Sequence, residues 1–175
     1  MTNSRVMLLL LSAAMGVSTA ASAAAPTALL NKSVVITWTE SITEKGEDGR
    51  VMTHPANRER IAYISSTGRI FLRATNNLPG GQGVYENAPG ASPAGSLAFQ
   101  GSNTMVGTSV FSGFARRLTV NFGSGYSSCS ASVVYGKSGG SRTWKSPDGK
   151  RTYEAIAISV GTTSCSIRDG NALAR

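Results

Sequence analysis

From Ser33 onward, hydrophobic residues recur at every second position, and the runs are short, broken by clusters of Gly, Pro and Asn. No stretch of a dozen residues carries a clean helical period. That pattern restricts the chain to half-buried β-strands, because successive side chains of a strand point to opposite faces. In SVVITWTESIT, residues 33–43, Val34, Ile36, Trp38 and Ile42 share one face, while Val35, Thr37, Thr39 and Ser41 share the other. Ile61 to Ser65 and Arg69 to Thr75 read as a hairpin around Thr67-Gly68, where a tight turn wants φ > 0. Further strands are expected at Ser96 to Gln100, Thr104 to Phe111, Arg116 to Phe122, Tyr126 to Tyr135, Arg151 to Val160 and Thr162 to Arg168, with Gly161 turning the last two. Polar loops are expected at Glu44 to Asn57 and Gly136 to Lys150, a mobile Gly/Pro-rich flap at about 76–95, and a frayed end from Asp169. The fold class is therefore all-β: a single antiparallel domain of eight or nine strands, built as a small barrel or a two-sheet sandwich.

The first 23 residues stand apart. Arg5 precedes the apolar run Leu8 to Leu11, and small residues lead to Ala21-Ser22-Ala23. A positive start, a short apolar centre and an A-x-A close describe a cleavable secretory signal, cut after Ala23. The apolar run is far short of the roughly 20 residues that span a bilayer, so residues 24–175 are expected to be soluble, without a transmembrane segment, in the periplasm or outside the cell. Export gives the only two cysteines a simple fate: a disulfide between Cys129 and Cys165, worth roughly 3–4 kcal/mol by constraining the unfolded chain. A metal site on those cysteines would lack ligands, since His54 is the single histidine. No metal or other cofactor is expected.

The pattern LNKSVVITWTES at residues 30–41, with ARRLTVNF (115–122), YSSCSASV (126–133) and SCSIRDGN (164–171), resembles uncharacterised small exported proteins of rhizobial-type alphaproteobacteria. The resemblance spans nearly all of residues 24–175 and implies compartment and fold. It implies no activity.

Catalytic chemistry finds little support. A serine triad requires a histidine base, and His54 lies before Pro55 in a polar stretch, with no strand-to-helix context expected for a nucleophile elbow. Glycosidase chemistry needs two carboxyl groups at a set separation. Glu40, on the face of Val34, Ile36 and Trp38, and Glu154, expected beside Ile156 and Ile158, are the two candidates. Gly80 to Gly83 lacks the lysine and the helix of a phosphate-binding loop. The positive signal is basic: the formal charge is +8, Arg116 and Arg117 adjoin a Gly-rich turn, and Arg142, Lys145, Lys150 and Arg151 crowd one loop around Trp144, with Lys137 ahead of them. Cations interleaved with an aromatic side chain can hold anionic groups. The expected function is a non-enzymatic binding protein of the cell envelope, for a small apolar ligand inside a barrel or an anionic polymer on the basic loops, with nucleic acid not the expected partner. The alternatives are a protein-interaction or inhibitor domain and, ranked last, a hydrolase using Glu40 or Glu154.

Overall fold

A computed structural model describes residues 23–75, 84–86, 96–111, 113–138, 143–146 and 148–174, with the backbone alone at 74, 75, 85, 110, 111, 144 and 174. Alternation becomes strand throughout. In chain order the strands are β1 (Lys32–Gly46), β2 (Val51–Ile64), β3 (Ile70–Thr75), β4 (Val84–Glu86), β5 (Ser96–Phe99), β6 (Thr104–Phe111), β7 (Phe114–Phe122), β8 (Cys129–Lys137), β9 (Thr143–Lys145) and β10 (Thr152–Asp169). They form two antiparallel sheets, ordered β4-β3-β2-β1-β10-β9 and β5-β6-β7-β8. Both orders have free ends, so the barrel alternative is set aside and the fold is a sandwich. Leaving out the three-residue β4 and β9, the strands among the described residues number eight. Among the described residues no helix is long and apolar enough to cross a membrane.

The two inner faces share one core. Val34, Ile36, Ala62, Ile64 and Leu72 from the larger sheet pack with Leu97, Phe99, Met105, Leu118, Val120 and Val133 from the smaller one. Large side chains thus occupy the space a barrel would leave for a small apolar ligand. Packing is tight enough that Gly107 on β6 has no room for a side chain: a Cβ there would stand 2.5 Å from the Ser96 carbonyl oxygen. The disulfide joins the sheets, linking Cys129 on β8 to Cys165 on β10 with Cα atoms 5.6 Å apart.

Three expectations are corrected. The stretch Glu44 to Asn57 is no loop; β1 runs on to Gly46 and returns as β2 through a tight turn, with Gly49 at φ +78° and the Asp48 carboxylate accepting from the Arg50 N–H at 3.0 Å. Pro55, which has no N–H for a ladder, is tolerated because β3 pairs only with residues 59–64 of β2, leaving that side of Pro55 open. Gly161 is a bulge within the continuous β10, not a turn: Trp38 faces Thr163 whereas Glu40 faces Val160, and Thr162 N–H donates to Thr39 Oγ1 at 3.0 Å. The carboxyl end is not frayed. Ala172 and Leu173 are buried against Val35 and Ile61 on the outer side of the larger sheet, and buried Ser33 ties them down, donating to the Gly170 carbonyl (2.7 Å) and accepting from the Ala172 N–H (2.9 Å). Most of the expected flap, the signal segment through Ser22 and Arg142 lie outside the described residues; within 76–95 only β4 is seen, paired with β3.

Candidate functional site

Along the inner faces the core changes from apolar to polar at one level. On β2 the inward row runs Ile64, Ala62, Arg60, Arg58, and register places Arg60 opposite Ile36 and Arg58 opposite Trp38 of β1. Two residues further along, β1 presents Glu40. The facing sheet changes at the same level, where Arg116 of β7 lies between Ser109 of β6 and Tyr135 of β8.

These side chains close into one network. Glu40, 2% exposed, accepts from Arg58 Nε on one carboxylate oxygen (2.6 Å). Its other oxygen accepts from Trp38 Nε1 (3.0 Å) and from the Tyr135 hydroxyl (2.6 Å). The Tyr135 bond crosses from one sheet to the other. Arg116 makes a second crossing: its guanidinium lies 5.2 Å from the centre of the Trp38 ring, and its Nε donates to Ser109 Oγ at 2.9 Å. Burial, and then the bond to Glu40, push the Tyr135 hydroxyl up to about 12. Arg60 is 1% exposed. Burial, followed by the like charge of Arg116, pushes its guanidinium down to about 9, with Tyr135 opposing.

The Glu40 carboxylate accepts three hydrogen bonds, and Tyr135 is held protonated as a donor. The hydrolase pairing fails on geometry. The bulge between Thr43 and Glu44 puts Ala155 opposite Glu44 and Glu154 opposite Lys45. Glu154 therefore shares the face of exposed Lys45, on the other side of the sheet from Glu40, and five residues along β1 is roughly 16 Å. Its expected row with Ile158 is broken by the same bulge. His54 is paired with Glu44, Nε2 to Oε2 at 3.6 Å. Burial raises the Glu44 carboxyl, and the charge of His54 partly offsets this. Among the described residues no group of three His, Cys, Asp or Glu could hold a metal ion.

The basic candidates divide. Arg116 faces inward as part of the network, while Arg117, the next residue of the same strand, is exposed on the opposite face, so the two cannot act as one site. Lys145, Lys150 and Arg151 are exposed at the β9–β10 hairpin, whose turn is fixed by Ser146 Oγ accepting from Arg151 N–H (3.0 Å) and Asp148 accepting from Lys150 N–H (3.1 Å). Trp144 lies on β9. Pairing of Gly46 with Tyr153 brings the β1–β2 turn alongside, adding exposed Lys45 and Arg50. A shallow hollow between the two turns is lined by Asp48, Arg50, Met52, Arg151 and Tyr153. Arg151 is raised by a hydrogen bond with Tyr153 first, and by Asp148 and Asp48 less. Sequence reasoning passed over Trp38, Arg58, Arg60 and Tyr135 as site residues. Their signal was the inward parity of Arg58 and Arg60, in step with Ala62 and Ile64.

Scans of protein-family models, curated proteins and solved structures return no match to this chain.

Proposed function

We propose that the chain is an exported, non-enzymatic binding module of the cell envelope that takes an anionic polymer on the paired turns at one end of the larger sheet. One observation carries the reading: Lys45, Arg50, Lys145, Lys150 and Arg151 lie exposed on two adjacent turns, against Glu47, Asp48 and Asp148. A surface of this sign attracts phosphate, sulfate or carboxylate groups on a flexible chain, and such binding weakens steeply with salt. The disulfide and the signal-like start support a periplasmic or secreted setting, where acidic polysaccharides and lipopolysaccharide phosphates are the polyanions at hand. Retention on immobilised heparin and on lipopolysaccharide tests it. The quadruple variant Arg142→Gln, Lys145→Gln, Lys150→Gln, Arg151→Gln elutes at clearly lower salt than the parent. Equal elution of the two proteins removes the reading.

A further inference from the structure

The hollow between the β1–β2 and β9–β10 turns has a lining of mixed character. Its volume is about 180 Å³, the bulk of roughly six water molecules in the liquid, and a single sugar ring is of that size. Arg50 and Arg151 bring two positive charges to its lining, Glu47 and Asp48 two negative ones, and Met52 and Tyr153 add apolar surface. The walls are anchored. Arg151 is tied to Tyr153 by a hydrogen bond, and the Asp48 carboxylate accepts from the Arg50 N–H at 3.0 Å. Gly46 lets that carboxylate pack against the strand, since a Cβ there would stand 2.8 Å from Asp48 Oδ1. Glu47, Arg50 and Arg151 are exposed, while Met52 and Tyr153 are half-buried.

Equal numbers of each charge disfavour a dense anion. A phosphate monoester carries roughly two negative charges at neutral pH and would meet Glu47 and Asp48 at close range. A carboxylate carries one, and the planar fork of a guanidinium matches its two oxygens. We propose, on the footing of the polymer reading, that this hollow takes one uronic acid unit of an acidic polysaccharide. The sugar carboxylate pairs with the guanidiniums of Arg50 and Arg151. Its ring hydroxyls donate to the carboxylates of Glu47 and Asp48, which are acceptors only when ionised. The C–H face of the ring rests on Tyr153 and Met52. Each kind of side chain in the lining thus has a counterpart on one sugar, whereas a phosphate or sulfate polymer would use the cations alone. Lys45, Lys145 and Lys150, exposed on the same end of the sheet, meet the carboxylates of neighbouring units.

The test uses the full exported protein, titrated calorimetrically at neutral pH and matched ionic strength with tetragalacturonate, with its methyl ester, and with polyphosphate. The expected result is saturable binding of tetragalacturonate, lost on esterification of its carboxylates, tighter than that of polyphosphate, and weakened about tenfold or more by Arg50→Gln. Glu47→Ala separates a fitted sugar from charge attraction alone. Removing a negative charge strengthens retention on heparin, yet the same change weakens tetragalacturonate binding, because a hydroxyl acceptor is lost. Both residues are exposed on a turn, so neither change threatens the fold. Tetragalacturonate bound no better than its methyl ester or than polyphosphate, binding that survives Arg50→Gln, or a Glu47→Ala protein that holds tetragalacturonate more tightly, overturns the proposal. Where any of these occurs while heparin still retains the parent more strongly than the quadruple variant, the uronate site falls and the polymer reading stands. A parent that holds neither heparin, lipopolysaccharide nor tetragalacturonate removes both.

Discussion

Replacing Glu40 by Ala should be among the most damaging single changes in this chain, and the structure gives the size. The carboxylate is 2% exposed and accepts from Arg58, Trp38 and Tyr135. Arg58 is 8% exposed, so removing the Glu40 carboxylate breaks a buried ion pair close to the like charge of Arg60. Breaking a buried pair from one side costs about 3–5 kcal/mol, a large share of a total stability of roughly 5–15 kcal/mol. For a domain of this size that is a fall in Tm of roughly 6–20 °C. The cost belongs to the buried charge that has lost its carboxylate more than to the lost contact, so Arg58→Met added to Glu40→Ala should restore part of the stability. A double-mutant cycle by urea unfolding, at neutral pH and followed by tryptophan fluorescence, measures both quantities. Glu40→Ala within about 1 kcal/mol of the parent, or strictly additive effects of the two changes, would refute the reasoning.

Three further outcomes follow from neighbouring contacts. The Glu44 carboxyl is raised chiefly by burial, so the folded state holds its proton more tightly than the unfolded chain; this makes stability greatest at acid pH and lost as pH rises through the raised value. Glu44→Gln should therefore gain on the parent between pH 4 and 7 in urea unfolding, and equal pH profiles would count against it. Tyr135, pushed up to about 12, should appear as one late-ionising phenol in an ultraviolet titration and vanish in Tyr135→Phe; the stability it adds is complete below pH 10 and lost as pH rises through about 12. Ser33→Ala removes the donor to Gly170 and the acceptor for Ala172 in a buried position, which should cost about 1–3 kcal/mol and speed hydrogen exchange at Ala172 and Leu173. Unchanged exchange there would separate Ser33 from the docking of the carboxyl end.

Much of the fold was legible because one rule, alternation, covers most of it. Strands β3, β5, β6, β7 and β8 fall where Leu72, Phe99, Met105, Leu118 and Val133 alternate with polar neighbours, and the paired cysteines needed only an export signal to be joined. The misreadings share a physical cause. From Glu44 to Asn57 the inward positions are Glu44 and Gly46 on β1 and Met52, His54 and Ala56 on β2, too few of them large and apolar for a hydrophobic pattern to tell this stretch from a loop. At Gly161 and near Ala155, bulges change the parity of β10, and a two-residue period cannot carry through them. The buried state of Glu40 was unreadable for a related reason: its partners Arg58 and Tyr135 are far off in the chain, and only the sandwich brings them to it. Of the basic candidates, Lys145, Lys150 and Arg151 were placed together by sequence proximity alone, whereas Arg116 and Arg117 show that neighbours on a strand point apart.

Two sheets clamped across their shared interior by the Cys129–Cys165 bond are what every contact above depends on. Intact-mass spectrometry and non-reducing peptide mapping of the protein recovered after export test that clamp directly. The account predicts a chain without its first twenty-odd residues, lighter by two hydrogens than its reduced form, yielding one linked peptide pair that contains both cysteines. Two free thiols in the folded, exported protein, or each cysteine bonded to a second molecule, would contradict it.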